Sequence, residues 1–238
     1  MIKLRLITLF VILSSLTFSQ QVQLQFGSSV SRLDWNYKAS NFDLGYDQVM
    51  IGRSIMAGIT YWDHNYFNLA TSVGYLSKGG RVGSYESNTN LSRDLNDGSN
   101  SNIYSKLNYL TFNTLFELKY PIHSVTSVLS FGPRFDYLVN MKGEIESIDN
   151  KDVINEMIGG FIIGGGIRYA ISNMVVGVRG DFYLNGNEVA NWAANDNNMG
   201  GIIQDDTMTV NFTLAYNIGR DPQKKAWRSV CKKQFCER

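Results

Sequence analysis

The sequence predicts an all-β protein: an eight-stranded antiparallel up-and-down transmembrane β-barrel with short periplasmic turns and long extracellular loops. Three observations favour this fold class. Segments of period-two hydrophobicity recur along the chain, their connections alternate between long and short, and aromatic residues gather at both ends of the segments. Periplasmic turns of such a barrel need only reverse the chain, whereas surface loops are free to grow.

The N-terminus is typical of a secretory signal peptide. Lys3 and Arg5 precede an apolar stretch of about eleven residues, which is shorter than the ~20 that a membrane-spanning helix needs. Small residues around Ser19 indicate cleavage there. We therefore expect residues 1–19 to be a cleaved signal peptide, 20–219 to form a barrel in the bacterial outer membrane, and 220–238 to form a basic periplasmic tail.

The last predicted strand, 208–218, shows the pattern most clearly. Its even positions are apolar, and its odd positions are Thr, Asn or Ala, so one face is apolar and the other mostly polar. Its length matches the ~9–11 residues of a tilted transmembrane strand. The other predicted strands are 22–33, 49–62, 66–76, 107–120, 125–139, 157–171 and 173–184.

The connections fall into two classes. The predicted short ones are 63–65, 121–124 and 172, and the predicted long ones are 34–48, 77–106, 141–156 and 185–206. An even number of strands places both termini in the periplasm. The long connections contain many carboxylates, including Asp205 and Asp206, but none has the spacing of a defined calcium loop. We expect solvated surface loops and no metal site.

Aromatic residues are placed as two membrane interfaces would require. The set expected at the periplasmic end is Tyr61, Trp62, Tyr66, Phe67, Tyr120, Tyr169 and Tyr216. The set expected near the opposite rim is Trp35, Tyr75, Tyr109, Tyr137 and Phe182. A soluble β-sandwich, the alternative fold, predicts neither the two belts nor the asymmetry of the connections.

Charged residues recur on the face that would point into the barrel. They are Glu117, Lys119, Arg134, Asp136, Arg168, Arg179 and Asp181. An eight-stranded barrel is only wide enough for its own side chains, and buried charges must pair. The pattern favours a salt-bridged plug, with a narrow polar conduit as the alternative. Glycines 159, 160 and 164–166 are expected to make room for large neighbours rather than to bind phosphate.

Nothing in the sequence indicates catalysis, a cofactor or nucleic-acid binding. The two histidines, His64 and His123, fall in predicted periplasmic turns, away from the outer surface where a lipid-modifying barrel enzyme would act. Arg53, near the outer end of an apolar face, is a candidate contact for lipopolysaccharide phosphates. Outer-membrane lipid and lipopolysaccharide are therefore the expected partners of a monomeric barrel.

The tail after residue 219 has seven basic and two acidic residues. It could dock a periplasmic partner or simply be solvated. Its cysteines, Cys231 and Cys236, could form a local disulfide in an oxidising compartment, but their spacing alone does not establish one.

Five segments carry a family resemblance: GYLSKGG (74–80), LNYLTFNTLFELKYPI (107–122), FGPRFDYLV (131–139), GGGIRYAI (164–171) and TLAYNIG (213–219). They resemble the PorT-like family of outer-membrane β-barrels, a porin-family group of small barrels of the OmpA/OmpX type. The chain departs from that pattern at 111–113, where a more apolar, Pro-containing stretch is usual. The resemblance implies a non-enzymatic membrane scaffold, surface or porin-like protein. It leaves open an accessory subunit of a type IX-like secretion or envelope-assembly complex; a lipid A-modifying enzyme is the third hypothesis.

Overall fold

The computed structural model describes residues 19–37, 48–62, 64, 66–81, 104–143, 154–192 and 201–218, and these form antiparallel β-strands. The strands are β1 (Ser19–Tyr37), β2 (Gln48–Tyr61), β3 (Phe67–Arg81), β4 (Tyr104–Ile122), β5 (Val125–Gly143), β6 (Met157–Ile171), β7 (Met174–Asn185), β8 (Ala190–Trp192) and β9 (Gly201–Asn217). Within these ranges no helix has the length and apolarity that a membrane crossing requires.

Eight long strands close into a barrel. Each of β1 to β7 pairs antiparallel with its neighbour in the chain, and β7 pairs with β9. β9 then pairs with β1 from Gln21↔Asn217 to Tyr37↔Gly201, which closes the sheet and leaves the eight long strands without a free edge along this seam. The short β8 lies beside β9 as an addition. The predicted eight-stranded antiparallel barrel is confirmed.

Three tight connections lie at one end of the barrel, called here the turn end. β4 and β5 are joined through His123 and Ser124, and β6 and β7 through Ser172 and Asn173. Trp62, His123 and Ser172 have positive φ angles of 59°, 57° and 54°, the left-handed conformation that reverses a chain within very few residues. The predicted short connections 121–124 and 172 are confirmed as tight turns, which span 123–124 and 172–173, whereas residues 63 and 65 of the predicted connection 63–65 lie outside the described residues.

The predicted bounds of the long connections are wrong, because the strands continue beyond them. β1 extends to Tyr37, β3 to Arg81 and β5 to Gly143, while β4 begins at Tyr104 and β9 at Gly201. Parts of 34–48, 77–106, 141–156 and 185–206 are thus barrel wall rather than loop. We call this opposite end of the barrel the loop end.

The polarity of the wall inverts along its height, which explains the error. Toward the turn end, β9 exposes Val210 and Phe212 and buries Thr209 and Asn211. Toward the loop end the same strand buries Ile203, and the outward neighbours are the half-buried Ile202 and the exposed Gln204. Because the apolar side changes from outside to inside, the hydrophobic periodicity of the sequence is lost where it inverts.

The outer surface of the barrel wall has an apolar zone that is bordered by aromatic side chains. Trp62, Tyr66 and Tyr120 are exposed at the turn end, and Tyr137 and Phe182 are exposed nearer the loop end. The rim assignment of Tyr109 is wrong: its side chain is fully buried inside the barrel. It has the same odd parity in β4 as the inward residue Thr111, so it points to the interior.

Candidate functional site in the barrel interior

Four charged side chains form a cluster in the turn-end half of the interior, called here the turn-side cluster. Arg168 makes a two-pronged contact with Glu117, with N–O distances of 2.6 and 2.7 Å. Arg179 donates to the same Glu117 carboxylate at 2.8 Å, to Asp181 at 2.7 Å and to Ser130 Oγ at 2.7 Å. Two acids and two bases make the cluster electrically neutral, so each buried charge has a partner.

Glycines on β6 leave space for this cluster. Gly164 lies opposite Asp181 and Gly166 opposite Arg179 in the β6–β7 ladder. A Cβ on Gly164 would collide with the Asp181 carboxylate, whereas one on Gly166 would first meet the backbone carbonyl oxygen of Val178. The expectation that glycines of this strand make room for large neighbours is confirmed at Gly164.

A second set of four charges, the loop-side cluster, lies nearer the loop end. Lys78 Nζ lies 2.9 Å from Asp136 Oδ2 and 3.0 Å from Asp205 Oδ2, and Arg134 Nη1 lies 3.4 Å from Asp136 Oδ2. Arg134 also donates to Asn185 Oδ1. This cluster too combines two acids with two bases, and the side chains of all four are almost completely buried.

Two tyrosines surround the cations of the loop-side cluster. Lys78 Nζ lies 5.0 Å from the ring centre of Tyr109, and the Arg134 guanidinium lies 4.6 Å from that of Tyr183. Cation–π contacts of this kind gain strength where water is excluded. The rings therefore add a second source of stabilisation to the ion pairs.

Apolar side chains separate the two clusters and cover the second one. Leu76, Leu115, Ile162 and Tyr183 form a buried group, and along β7 Tyr183 is the inward residue between Asp181 and Asn185. A larger buried group lies beyond the loop-side cluster. It consists of Leu33, Leu107, Tyr109, Ile154, Ile158, Val189, Ala190 and Ile203. The loop-side cluster is thus enclosed by apolar layers on both sides along the barrel axis.

The interior beside the turn-side cluster is filled rather than open. The gap beside Ser130, Arg168 and Arg179 has no space for a water-sized sphere. A small barrel filled by its own side chains is the geometry that eight strands impose. The fold and the site define a closed eight-stranded β-barrel with an apolar outer surface and a filled, ion-paired interior.

The structure divides the charged residues selected from the sequence into three groups. Glu117, Arg168, Arg179 and Asp181 meet in the turn-side cluster, and Arg134 and Asp136 belong to the loop-side cluster. Lys119 lies one inward position nearer the turn end than Glu117 and is only partly buried.

Lys78 and Asp205 are interior residues that sequence reasoning missed. The expectation of a solvated loop carboxylate at Asp205 is wrong, because it is buried and paired with Lys78. Strand parity carries the signal: Asp205 has the odd parity of the inward Thr209, and Lys78 has the even parity of the inward Leu76. Recognising it would have required extending both strands into segments that lack apolar alternation.

The remaining candidate residues that the structure describes form no further cluster. His64 and His123 are exposed at the turn end. Within the described ranges, no group of three His, Cys, Asp or Glu side chains is arranged to hold a metal ion. Two predicted segments lie outside the described residues: signal-peptide residues 1–18 and the tail 220–238, which includes Cys231 and Cys236.

Comparisons with known proteins yield similar solved structures of barrels. No protein family and no curated protein matches the chain. Neisserial surface protein A aligns with 8% identity over 83% of this chain and 97% of its own, with a TM-score of 0.45. Outer membrane protein W of E. coli aligns with 9% identity over 84% and 98%, with a TM-score of 0.42. The attachment invasion locus protein Ail of Yersinia pestis aligns with 10% identity over 83% and 98%, with a TM-score of 0.35. At these values the similarity assigns no role to this chain.

Proposed function

We propose that this protein is an integral barrel of the bacterial outer membrane that holds its loop end at the cell surface as a closed, non-enzymatic scaffold. The observation that carries the proposal is the combination of an apolar exterior with a polar interior over the same stretch of wall. Water-soluble proteins rarely expose a continuous apolar surface of this extent. A closed barrel satisfies its backbone hydrogen bonds internally, as a bilayer demands.

The filled interior supports a scaffold rather than a pore. A solute passing along the axis would have to displace two neutral ion clusters and the apolar side chains around them. Each ionic group that loses its partner inside the barrel costs several kcal/mol, so such a passage would be strongly disfavoured. We therefore place the protein among porin-like barrels by architecture and not by conductance.

Reconstitution into planar bilayers tests this function. The refolded full chain should insert into the bilayer and produce no steady conductance steps. A variant with Glu117, Arg168 and Arg179 all replaced by glycine should also stay closed, because the loop-side cluster and the apolar layers still block the axis. A variant with three exposed loop-end charges replaced serves as the control and should stay closed. Steady conductance by the unaltered chain would contradict the scaffold, and failure to insert would contradict the membrane location.

A second candidate is an accessory subunit of a type IX-like secretion or envelope-assembly complex. The PorT-like sequence resemblance and the excess of five positive charges in the tail favour it. Purification from the native membrane in mild detergent, with and without residues 220–238, separates the candidates. A stoichiometric partner lost on truncation supports the subunit, whereas a barrel that purifies alone in both forms supports the scaffold.

The absence of enzymatic activity is part of the proposal and has its own test. Both histidines lie at the turn end, so neither is placed for acid–base chemistry on lipid at the loop end. Deletion of the protein should therefore leave the mass profile of lipid A unchanged. A lost or gained acyl group in the deletion strain would instead indicate a lipid-modifying enzyme.

A further inference from the structure

Two lysines lie directly opposite each other on the outside of the barrel near the loop end. Lys106 of β4 pairs with Lys142 of β5, and the next pair, Leu107 and Met141, packs toward the interior. Because successive side chains alternate between faces, both lysines point outward. Like charges directly opposite in a sheet repel and destabilise the pair.

A third cation joins them from the neighbouring strand. Arg81 of β3 pairs with Tyr104, and Lys106 pairs with Gly79, so Arg81 is a diagonal neighbour of Lys106. The side chain of Arg81 is exposed, as is that of Lys142. Across the part of the chain that the structure describes, none of the three forms an ion pair. We call Arg81, Lys106 and Lys142 the basic patch.

The basic patch differs from Arg32, which also faces outward toward the loop end of the wall. Arg32 on β1 is neutralised, because its guanidinium lies 3.2 Å from Asp34 and 3.3 Å from Asp206. Among the described residues, positive charge without a counterion is therefore concentrated on the β3–β5 side. Three neighbouring cations favour binding of an anionic ligand.

The height of the patch identifies the kind of anion. On β5 the exposed apolar residues Tyr137 and Val139 come just before it, on the turn-end side. Arg53 of β2 lies between the exposed residues Ile51 and Ile55, within the apolar surface, so it does not mark this margin. In a membrane, the level just beyond the apolar surface holds lipid head groups, whose phosphates attract Lys and Arg.

We propose that the basic patch binds the phosphates of a phosphorylated outer-leaflet lipid. This inference rests on the proposed membrane location and adds a specific lipid site to it. Lysine supplies a mobile point charge, and arginine can bind a phosphate through two N–H groups at once. The acyl chains of that lipid would lie along the exposed side chains of β3, β4 and β5.

Lipid titration of the refolded full chain in uncharged maltoside micelles tests the site. The probes are diphosphorylated lipid A, the same lipid with both phosphates removed, and inorganic phosphate. The unaltered chain should retain the diphosphorylated lipid about tenfold more strongly than the dephosphorylated one, since each nearby cation contributes to binding of an anionic lipid. Free phosphate should not compete at equal concentration.

Two variants make the test specific. The double variant Lys106→Gln/Lys142→Gln should lose the preference for phosphate, whereas the matched control Arg32→Gln should keep it. The single variant Lys142→Gln should raise the melting temperature without lipid, because it removes a repulsion, and should reduce the extra stabilisation by diphosphorylated lipid A. A purely structural lysine would not produce these two opposite changes.

The outcomes separate this inference from the proposed function. If the double variant keeps the preference, or the control loses it equally, the lipid site is overturned. Folding of the same samples into uncharged phospholipid vesicles is measured in parallel. A barrel that inserts there without any preference for phosphate retains its membrane function and lacks the lipid site, whereas failure to insert overturns both.

Discussion

Replacing Arg179 with alanine removes the most connected cation of the barrel interior. Its guanidinium contacts Asp181, Glu117 and Ser130, and its side chain is almost completely buried. After truncation, Glu117 keeps its two-pronged contact with Arg168. Asp181 loses its only ion pair within the described residues, so one buried negative charge is left uncompensated.

The expected loss of stability follows from that stranded charge. Removing one partner of a buried ion pair typically lowers the free energy of unfolding by about 3–5 kcal/mol. The exposed pair of Arg32 with Asp34 offers a matched control, and Arg32→Ala should cost less than about 1 kcal/mol. The measurement is urea-induced unfolding of both variants in phospholipid vesicles, followed by tryptophan fluorescence, and Arg179→Ala should be the less stable by a wide margin.

A double variant distinguishes lost charge pairing from lost packing. Arg179→Met/Asp181→Leu removes one base and one acid, so the cluster stays neutral and the volume is largely kept. It should recover most of the stability that Arg179→Ala loses, because neutral side chains pay no desolvation penalty. The reasoning is refuted if Arg179→Ala is as stable as Arg32→Ala, or if the double variant is no better than the single one.

Three further predictions concern the other layers of the wall and interior. Lys78→Met should destabilise the barrel by about 3–5 kcal/mol by leaving Asp205 without its counterion, and Lys78→Met/Asp205→Leu should recover most of that loss in the same unfolding measurement. Gly164→Ala should lower the melting temperature clearly, because its methyl group meets the Asp181 carboxylate, while Gly165→Ala in the same strand should change it little; equal effects would contradict the packing described. Val210→Lys should cost about 2–4 kcal/mol in vesicles if that exposed side chain faces hydrocarbon, whereas Gln204→Lys, outward on the same strand, should cost almost nothing.

The strands could be predicted where one face is apolar and the other polar. The alternation in 208–218 identified the core of β9 because its outward residues are apolar and its inward residues are Thr, Asn or Ala. The same reasoning predicted that the side chains of Glu117 and Arg179 both point into the barrel. Parity along a strand determines the side of the wall, and it does not depend on knowing the neighbouring strands.

Extension of the wall could not be predicted from hydrophobic periodicity. In β3 the segment 77–81 contains two glycines and a buried lysine, so no apolar face marks it as a strand. Pairing with β4 satisfies the backbone hydrogen bonds of this segment. The counterion for Lys78 comes from another strand, as the side chain of Asp205. Such information is spread over distant parts of the chain, and a local pattern does not contain it.

The inversion of wall polarity also has a consequence for how deeply the barrel sits in a bilayer. If the barrel moved toward its turn end, Arg32 and Gln204 would come into contact with hydrocarbon. If it moved toward its loop end, apolar side chains such as Val210 would approach water. The two costs oppose each other, so the vertical position has a narrow optimum. A membrane of different thickness must then adapt at the turn end, while the height of the loop end above the nearer membrane surface stays constant.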